Sequence, residues 1–191
     1  MDMPIYSFEG RVPRISPTAY VHPTAVVIGK VYIGEGCYIG PGAVLRGDWG
    51  EIVIREGSNV QDNVVIHARP EQVTYLGPDS HVGHAAVLHG CRLEGHVLVG
   101  MGSVINDDAV LEEGCVVASG AVVPPRMRVR SRSLVGGIPA SEMGRVDEDR
   151  DALLWLGTRL YQTLPGRYRK SCSEIGREEA EKAFRAAPDP T

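Results

Sequence analysis

The stretch VGMGSVINDDAVLEEGCVVASGAVV, residues 99–123, decides the fold. An Ile or Leu or Val returns every sixth residue, at Val99, Ile105, Leu111, Val117 and Val123. A small residue follows each of the first four openers at the fourth place: Ser103, Ala109, Cys115 and Ala121. The same series runs back through Leu88, Val82 and Leu76, then Ile66, Val60 and Ile54. It reaches Leu45, Ile39, Ile33, Val27, Val21 and Ile15, and it runs forward through Val129 and Val135. A six-residue period cannot be an amphipathic helix, whose apolar stripe recurs at three and four. It suits short parallel strands joined by tight corners, with the opener pointing inward and Gly, Asn or Pro-Gly near the bends. A short repeat held over such a length is a solenoid.

The repeat breaks in three places. Leu45 and Ile54 stand nine apart, Ile66 and Leu76 ten apart, and Leu88 and Val99 one short of two units. Insertions in solenoids are expected to project as loops that frame a site. Trp49-Gly50-Glu51 and Arg69-Pro70-Glu71-Gln72 are the expected bulges, and they flank Arg46 and His67.

The period also serves as a ruler. Counted in threes around the coil, Leu45, Ile66, Leu88 and Ile105 fall on one face in successive coils, and the residues after them are Arg46, His67, His89 and Asn106. Parallel strands lie ~4.8 Å apart, so His67 and His89 should stand one above the other, pointing outward. Two imidazoles so placed can share a metal ion. His84 lies around a corner, too far to reach the same ion within one chain, but a neighbouring chain in a cyclic assembly could present its own His84. For His22, His81 and His96 the reading is ordinary solvated surface.

Composition agrees with one compact domain. At 191 residues the chain can bury one core. Aromatic residues are 6%, as a thin interior of small aliphatic side chains requires. A net charge of −4 argues against nucleic acid as the main partner, and no apolar run approaches the ~20 residues of a membrane span. The opening residues lack a basic and apolar leader pattern, so a cytoplasmic protein is expected. The four cysteines contain no C-x-x-C pair: Cys37 and Cys115 fall at small inward positions, Cys172 lies in the tail, and Cys91 sits beside the histidines.

These motifs resemble the γ-class carbonic anhydrase family of hexapeptide proteins. Arg46-Gly47-Asp48 is similar to its Arg-x-Asp element, and Asn59-Val60-Gln61-Asp62 to its Asn-x-Gln-Asp element. His67 then occupies the place of the first ligand, and Gly83-His84 through His89-Gly90 resembles the Gly-His-x4-His-Gly segment. Gly137-Ile138-Pro139-Ala140 is similar to the family's Gly-x-Pro-Ala ending. The resemblance implies a left-handed parallel β-helix of triangular section with a C-terminal α-helix packed alongside, assembled as a homotrimer. It implies His67 and His89 from one subunit and His84 from the next around Zn2+, with Fe2+ or Co2+ also suited to imidazole. Gln61 is expected to bond or orient the reacting groups. Asp62 and Asp48 are expected to pair with Arg46, within or across subunits, and Asn59 lies in the same supporting shell. Within the family the chain is most similar to the phenylacetate-degradation branch (PaaY-like) and its carnitine-operon relative.

Three functions follow from that resemblance. The first is an acyl-CoA thioesterase, with Trp49 packing the acyl group. The second is carbon dioxide hydration to bicarbonate, slow here because Trp49 stands where the family pattern has a glutamate. The third is a metal-free hexapeptide acyltransferase using acetyl-CoA and one histidine as base. A scaffold subunit without turnover is the remaining alternative.

The domain reading is a lead-in at 1–14, the β-helix at 15–140 and a helical extension at 141–191. Asp147-Glu148-Asp149 is a helix start, and Leu153, Leu156, Leu160 and Leu164 form the stripe expected to pack on the prism. Pro165-Gly166 is expected to stop it. Ser173 is a candidate cap for a second helix through Ala186, before a Pro-rich end. Tyr161 is a candidate phenol donor to the site, or a packing residue. Arg126, Arg128, Arg130 and Arg132 are expected to line one outward strand face, available to coenzyme A phosphates or simply solvated.

Overall fold

The computed structural model describes residues 4–186; the Pro-rich end at 187–191 lies outside them. The openers all turn inward. Ile33, Ile39, Leu45, Ile54, Ile66, Leu76, Leu88, Ile105 and Leu111 are fully buried, and Ala25, Ala43, Ala86, Cys37 and Cys115 fill the spaces between them. Each buried aliphatic side chain contributes roughly 1.5–3 kcal/mol. That burial, repeated coil after coil, holds a chain whose strands are mostly two residues long.

The strands stack in three columns, forming the left-handed parallel β-helix. Leu45, Ile66, Leu88, Ile105 and Val123 pair in register on one face. Ile15, Ile33, Ile54, Leu76, Leu93, Leu111 and Val129 form the second. Val21, Ile39, Val60, Val82, Val99, Val117 and Val135 form the third. The insertion between Leu45 and Ile54 does not project as a loop, contrary to expectation. Val44–Ile54 is one continuous strand that bends through a corner beside Val26–Ile33 and joins two faces into a single sheet. Tight approach permits this: a Cβ at Gly47 would stand 2.5 Å from the Lys30 carbonyl oxygen. After Ala140 the strand Ala140–Arg145 turns back antiparallel on Ser133–Gly137 and closes that end of the third face.

Helix α1, Glu148–Ser171, begins at an Asp147 cap whose side chain accepts from the Arg150 N–H at 2.8 Å. Two expectations fail here. The helix runs through Pro165 to Ser171, and the leucine stripe faces away, with Leu153, Leu156 and Leu160 all more than half exposed. The inward stripe is instead Trp155, Thr158, Tyr161, Pro165 and Tyr168. The reason lies in what it covers, a column of outward residues on the third face: Tyr20, Tyr38, Asn59 and His81. Aromatic rings meet that column better than leucine would. Tyr168 lies 5.1 Å from Tyr20 and 5.5 Å from Tyr38, and Tyr161 lies 5.2 Å from His81, edge on. Trp155 stacks on His96 at 3.8 Å, and Asp151 bonds the same imidazole. His81 and His96 are therefore helix-docking residues and not solvated surface.

The second helix, α2, runs Arg177–Ala186 and begins four residues after Ser173. The arginine row is also corrected. Only Arg128 lies in a strand, paired with Glu112, whereas Arg126 and Arg132 occupy corners with positive φ and Arg132 reaches Asp151. Among the described residues no helix is long and apolar enough to cross a membrane.

Candidate metal centre

Register brings two histidines together. Arg46, His67 and His89 are paired neighbours in successive coils of the first face. His67 Nδ1 stands 3.1 Å from His89 Nε2, with ring centres 5.1 Å apart. The far nitrogen of each ring is held by a carboxylate. His67 Nε2 meets Asp48 Oδ1 at 2.9 Å, and His89 Nδ1 meets Asp107 Oδ1 at 2.7 Å. Asp48 also accepts from Arg46 Nη1 at 2.6 Å and from the Trp49 N–H at 2.9 Å. Partial burial works to raise its pKa, but the bonds from Arg46 and His67 outweigh it and leave the carboxyl below its ordinary value. Buried Thr74 fixes both strand ends: its hydroxyl donates to the His67 carbonyl at 2.6 Å and accepts from the Gly90 N–H at 2.9 Å. The Trp49 indole lies 5.6 Å from the His67 ring and is mostly exposed.

The third face carries a separate group. His84 Nδ1 meets Asp62 Oδ2 at 3.2 Å, on side chains that are both more than two-fifths exposed. Beside them Gln61 Nε2 donates to Asn59 Oδ1 at 3.0 Å and lies 2.7 Å from His81 Nε2. Burial, then the charges of His84 and His96, push the His81 pKa down to about 4, so this imidazole is neutral. Tyr161 packs against His81 and Tyr38, and burial, then Asp62, raise its phenol above the ordinary value. Arg46, Asp48, Trp49, His67 and His89 thus form one group, and Asn59, Gln61, Asp62, His84 and Tyr161 another. Among the described residues no three potential ligands of one chain converge on a point.

The donor chemistry fits a divalent cation. Two Zn–N bonds of ~2.0–2.1 Å at a tetrahedral angle put the nitrogens ~3.4 Å apart, near the observed gap between His67 and His89. All three histidines have one nitrogen on a carboxylate and the other turned away from it, the arrangement that orients an imidazole for a metal. Asp107 and Thr74 escaped the sequence reading. Asp107 follows Asn106, already read as outward, and extending the ruler by one residue would have found it. Cys91 is excluded as a ligand, because it is buried in the core and burial pushes its thiol up to about 12.

Comparison with known proteins agrees with the fold. Residues 13–47 match the family model for the bacterial transferase hexapeptide of six repeats. The carnitine operon protein CaiE of Escherichia coli K12 is 44% identical over 172 residues, covering 90% of this chain and 88% of the relative. The crystal structure of a hexapeptide transferase family protein from Anaplasma phagocytophilum is 35% identical. It superposes with a TM-score of 0.83 over 86% of this chain and 97% of that one. The BC4754 gene product of Bacillus cereus, 29% identical, gives 0.86 over 87% and 96%. Sequence repeat, solenoid and the similarity to CaiE over nine-tenths of the chain agree: the chain belongs to the hexapeptide-repeat family, in the group that contains CaiE.

Proposed function

We propose that this chain is a metal-dependent acyl-CoA thioesterase of the γ-class carbonic anhydrase-like hexapeptide proteins, acting as a homotrimer, nearest the phenylacetate-degradation branch. His67 and His89 of one subunit and His84 of the next hold Zn2+, or Fe2+ or Co2+ in its place. The observation that carries this reading is the His67–His89 pair at 3.1 Å, each ring tied to its own carboxylate. A solvated carboxylate–histidine pair, Asp62–His84, waits on another face for a partner surface.

The bound cation supplies Lewis acidity and makes water nucleophilic near neutral pH. The chain's own residues do the rest. Asp48 and Asp107 fix which nitrogens of His67 and His89 face the site, and Arg46 fixes Asp48. Asn59 and His81 take up the Gln61 amide N–H groups, which leaves the Gln61 carbonyl to orient the reacting water. Tyr161 positions this network by packing on His81. Trp49 offers an exposed indole to the acyl group. Water adds to the thioester carbonyl, the C–S bond breaks, and acid and free thiol leave.

Carbon dioxide hydration is slow on this reading. Asp48, Asp62 and Asp107 are each engaged by a histidine, so none is free to export a proton every turnover. The test is metal analysis of the purified oligomer with a panel of CoA thioesters, beside a carbon dioxide hydration assay, on wild type and His84→Ala. Thioester hydrolysis lost with the metal in His84→Ala supports the proposal. Metal-free protein that acetylates an amine or hydroxyl acceptor would make it an acyltransferase, and hydration outpacing every thioester would make it a carbonic anhydrase.

A further inference from the structure

On the flank of the first face, a groove of about 480 Å³ opens below the His67 rung. Its cationic wall is Arg11, Arg14 and Lys30; Trp49 lies on the next strand up, and Gln72 and Val73, on the His67 coil, line its upper part. The strand ladder fixes how these groups are spaced. His67 lies one strand above Val44–Ile54, which carries Trp49; Val26–Ile33, which carries Lys30, is the next strand down; Arg14–Ile15 pairs below that. At ~4.8 Å per strand, Lys30 sits roughly 10 Å and Arg14 roughly 14 Å below the histidine rung.

The charges in the groove are not equivalent. Lys30 is paired with Glu51 at 2.8 Å, and Glu71 stands at the rim. Among the described residues neither Arg11 nor Arg14 has a carboxylate partner, whereas Arg46, Arg55, Arg69, Arg92 and Arg128 each have one. Arg14 lies 5.5 Å over the Tyr32 ring, which holds its guanidinium in place. Arg11 is presented by a tight turn in which Phe8 and Arg11 exchange two backbone hydrogen bonds of 3.0 and 2.9 Å. Val12, beside Arg11, and Val73, on the strand above Glu51, are both exposed and add apolar surface to the groove. Two guanidiniums without a carboxylate partner among the described residues, one of them held over an aromatic ring, beside apolar surface and an indole suit a ligand with phosphates at one end and a long neutral arm.

We propose that this groove binds the phosphate-bearing end of the substrate, a nucleotide handle of the coenzyme A class, and directs its arm past Trp49 toward His67. The assignment rests on the thioesterase reading for its orientation, but it makes a claim about binding that needs no turnover. Carbon dioxide hydration has no use for such a groove.

The chain has two tryptophans, so Trp155→Phe leaves Trp49 as the sole indole reporter. Titrating adenosine 3′,5′-bisphosphate into that oligomer should quench Trp49 fluorescence saturably, with affinity that weakens as salt rises. Arg11→Ala combined with Arg14→Ala should raise the dissociation constant roughly tenfold or more. Arg126→Ala with Arg130→Ala, on the far coils, should leave it unchanged. Both side chains are exposed and make no ion pair among the described residues, so the double variant should fold, and circular dichroism checks this. No saturable quench at millimolar nucleotide, or affinity kept within about twofold by the Arg11/Arg14 variant, would overturn the assignment. Nucleotide binding without hydrolysis of any thioester would keep the groove and refute the thioesterase.

Discussion

Asp107 shows how finely single residues set this site. Its carboxylate holds His89 Nδ1 at 2.7 Å and is braced by Arg69 at 3.2 Å, so it fixes which His89 nitrogen turns toward His67. Asp107→Asn should therefore weaken metal binding by ~10–100-fold while leaving the oligomer intact, as read by metal titration beside sedimentation. The cysteines make a second case. Burial pushes Cys37 and Cys91 up to about 12 and Cys115 to about 11, and only Cys172 is exposed. Alkylation of the native protein at pH 8, followed by mass spectrometry, should modify Cys172 alone. His67 and His89 were legible in the sequence because an outward residue keeps its place from coil to coil. Cys91 was misread as lying beside the site because the step from Leu88 to Leu93 is one residue short, which puts Cys91 two places before an inward opener, the same small core position as Cys37 and Cys115.

At the scale of elements, the strands owe their place to the core and the helix to its aromatic stripe. Leu88 is fully buried beneath His89, and Leu88→Ala should cost ~2–5 kcal/mol in denaturant unfolding and loosen the histidine pair. Trp155→Ala should free the start of α1 from His96 and expose residues near 148–160 to limited proteolysis, with the β-helix still folded. His81, beneath the same helix, makes stability depend on pH. Above the unfolded value of 6.5 neither state carries its proton. As pH falls from 6.5 to about 4, the unfolded chain takes up a proton that the folded chain refuses, and stability drops by up to ~3 kcal/mol before levelling. His81→Asn should flatten that part of the profile relative to wild type. The sequence carried the strands because inward openers obey one period. It did not carry the helix face, since leucine spacing reads amphipathicity without saying what the helix meets. The column Tyr20, Tyr38, Asn59, His81 selected aromatics, and that column becomes visible only once the strands are stacked.

For the whole molecule, the solenoid places on two faces the three histidines that the proposed site would bring together. His67 and His89 stand on the first face and His84 on the third, each with its carboxylate, and among the described residues of one chain no third ligand completes the pair. The period alone predicted this separation, because it counts corners as well as strands. The groove below Trp49 was beyond it, since side chains from four different strands form that surface. The central claim is that one metal ion is shared across neighbouring subunits, and mixed assemblies test it most directly. His67→Ala and His84→Ala should each bind almost no zinc alone. Refolded together, the two variants should regain zinc and thioester hydrolysis, because in any trimer containing both, one interface pairs an intact His67 with an intact His84. Zinc bound stoichiometrically by His84→Ala alone, or a mixture as empty as its parents, would contradict the shared site.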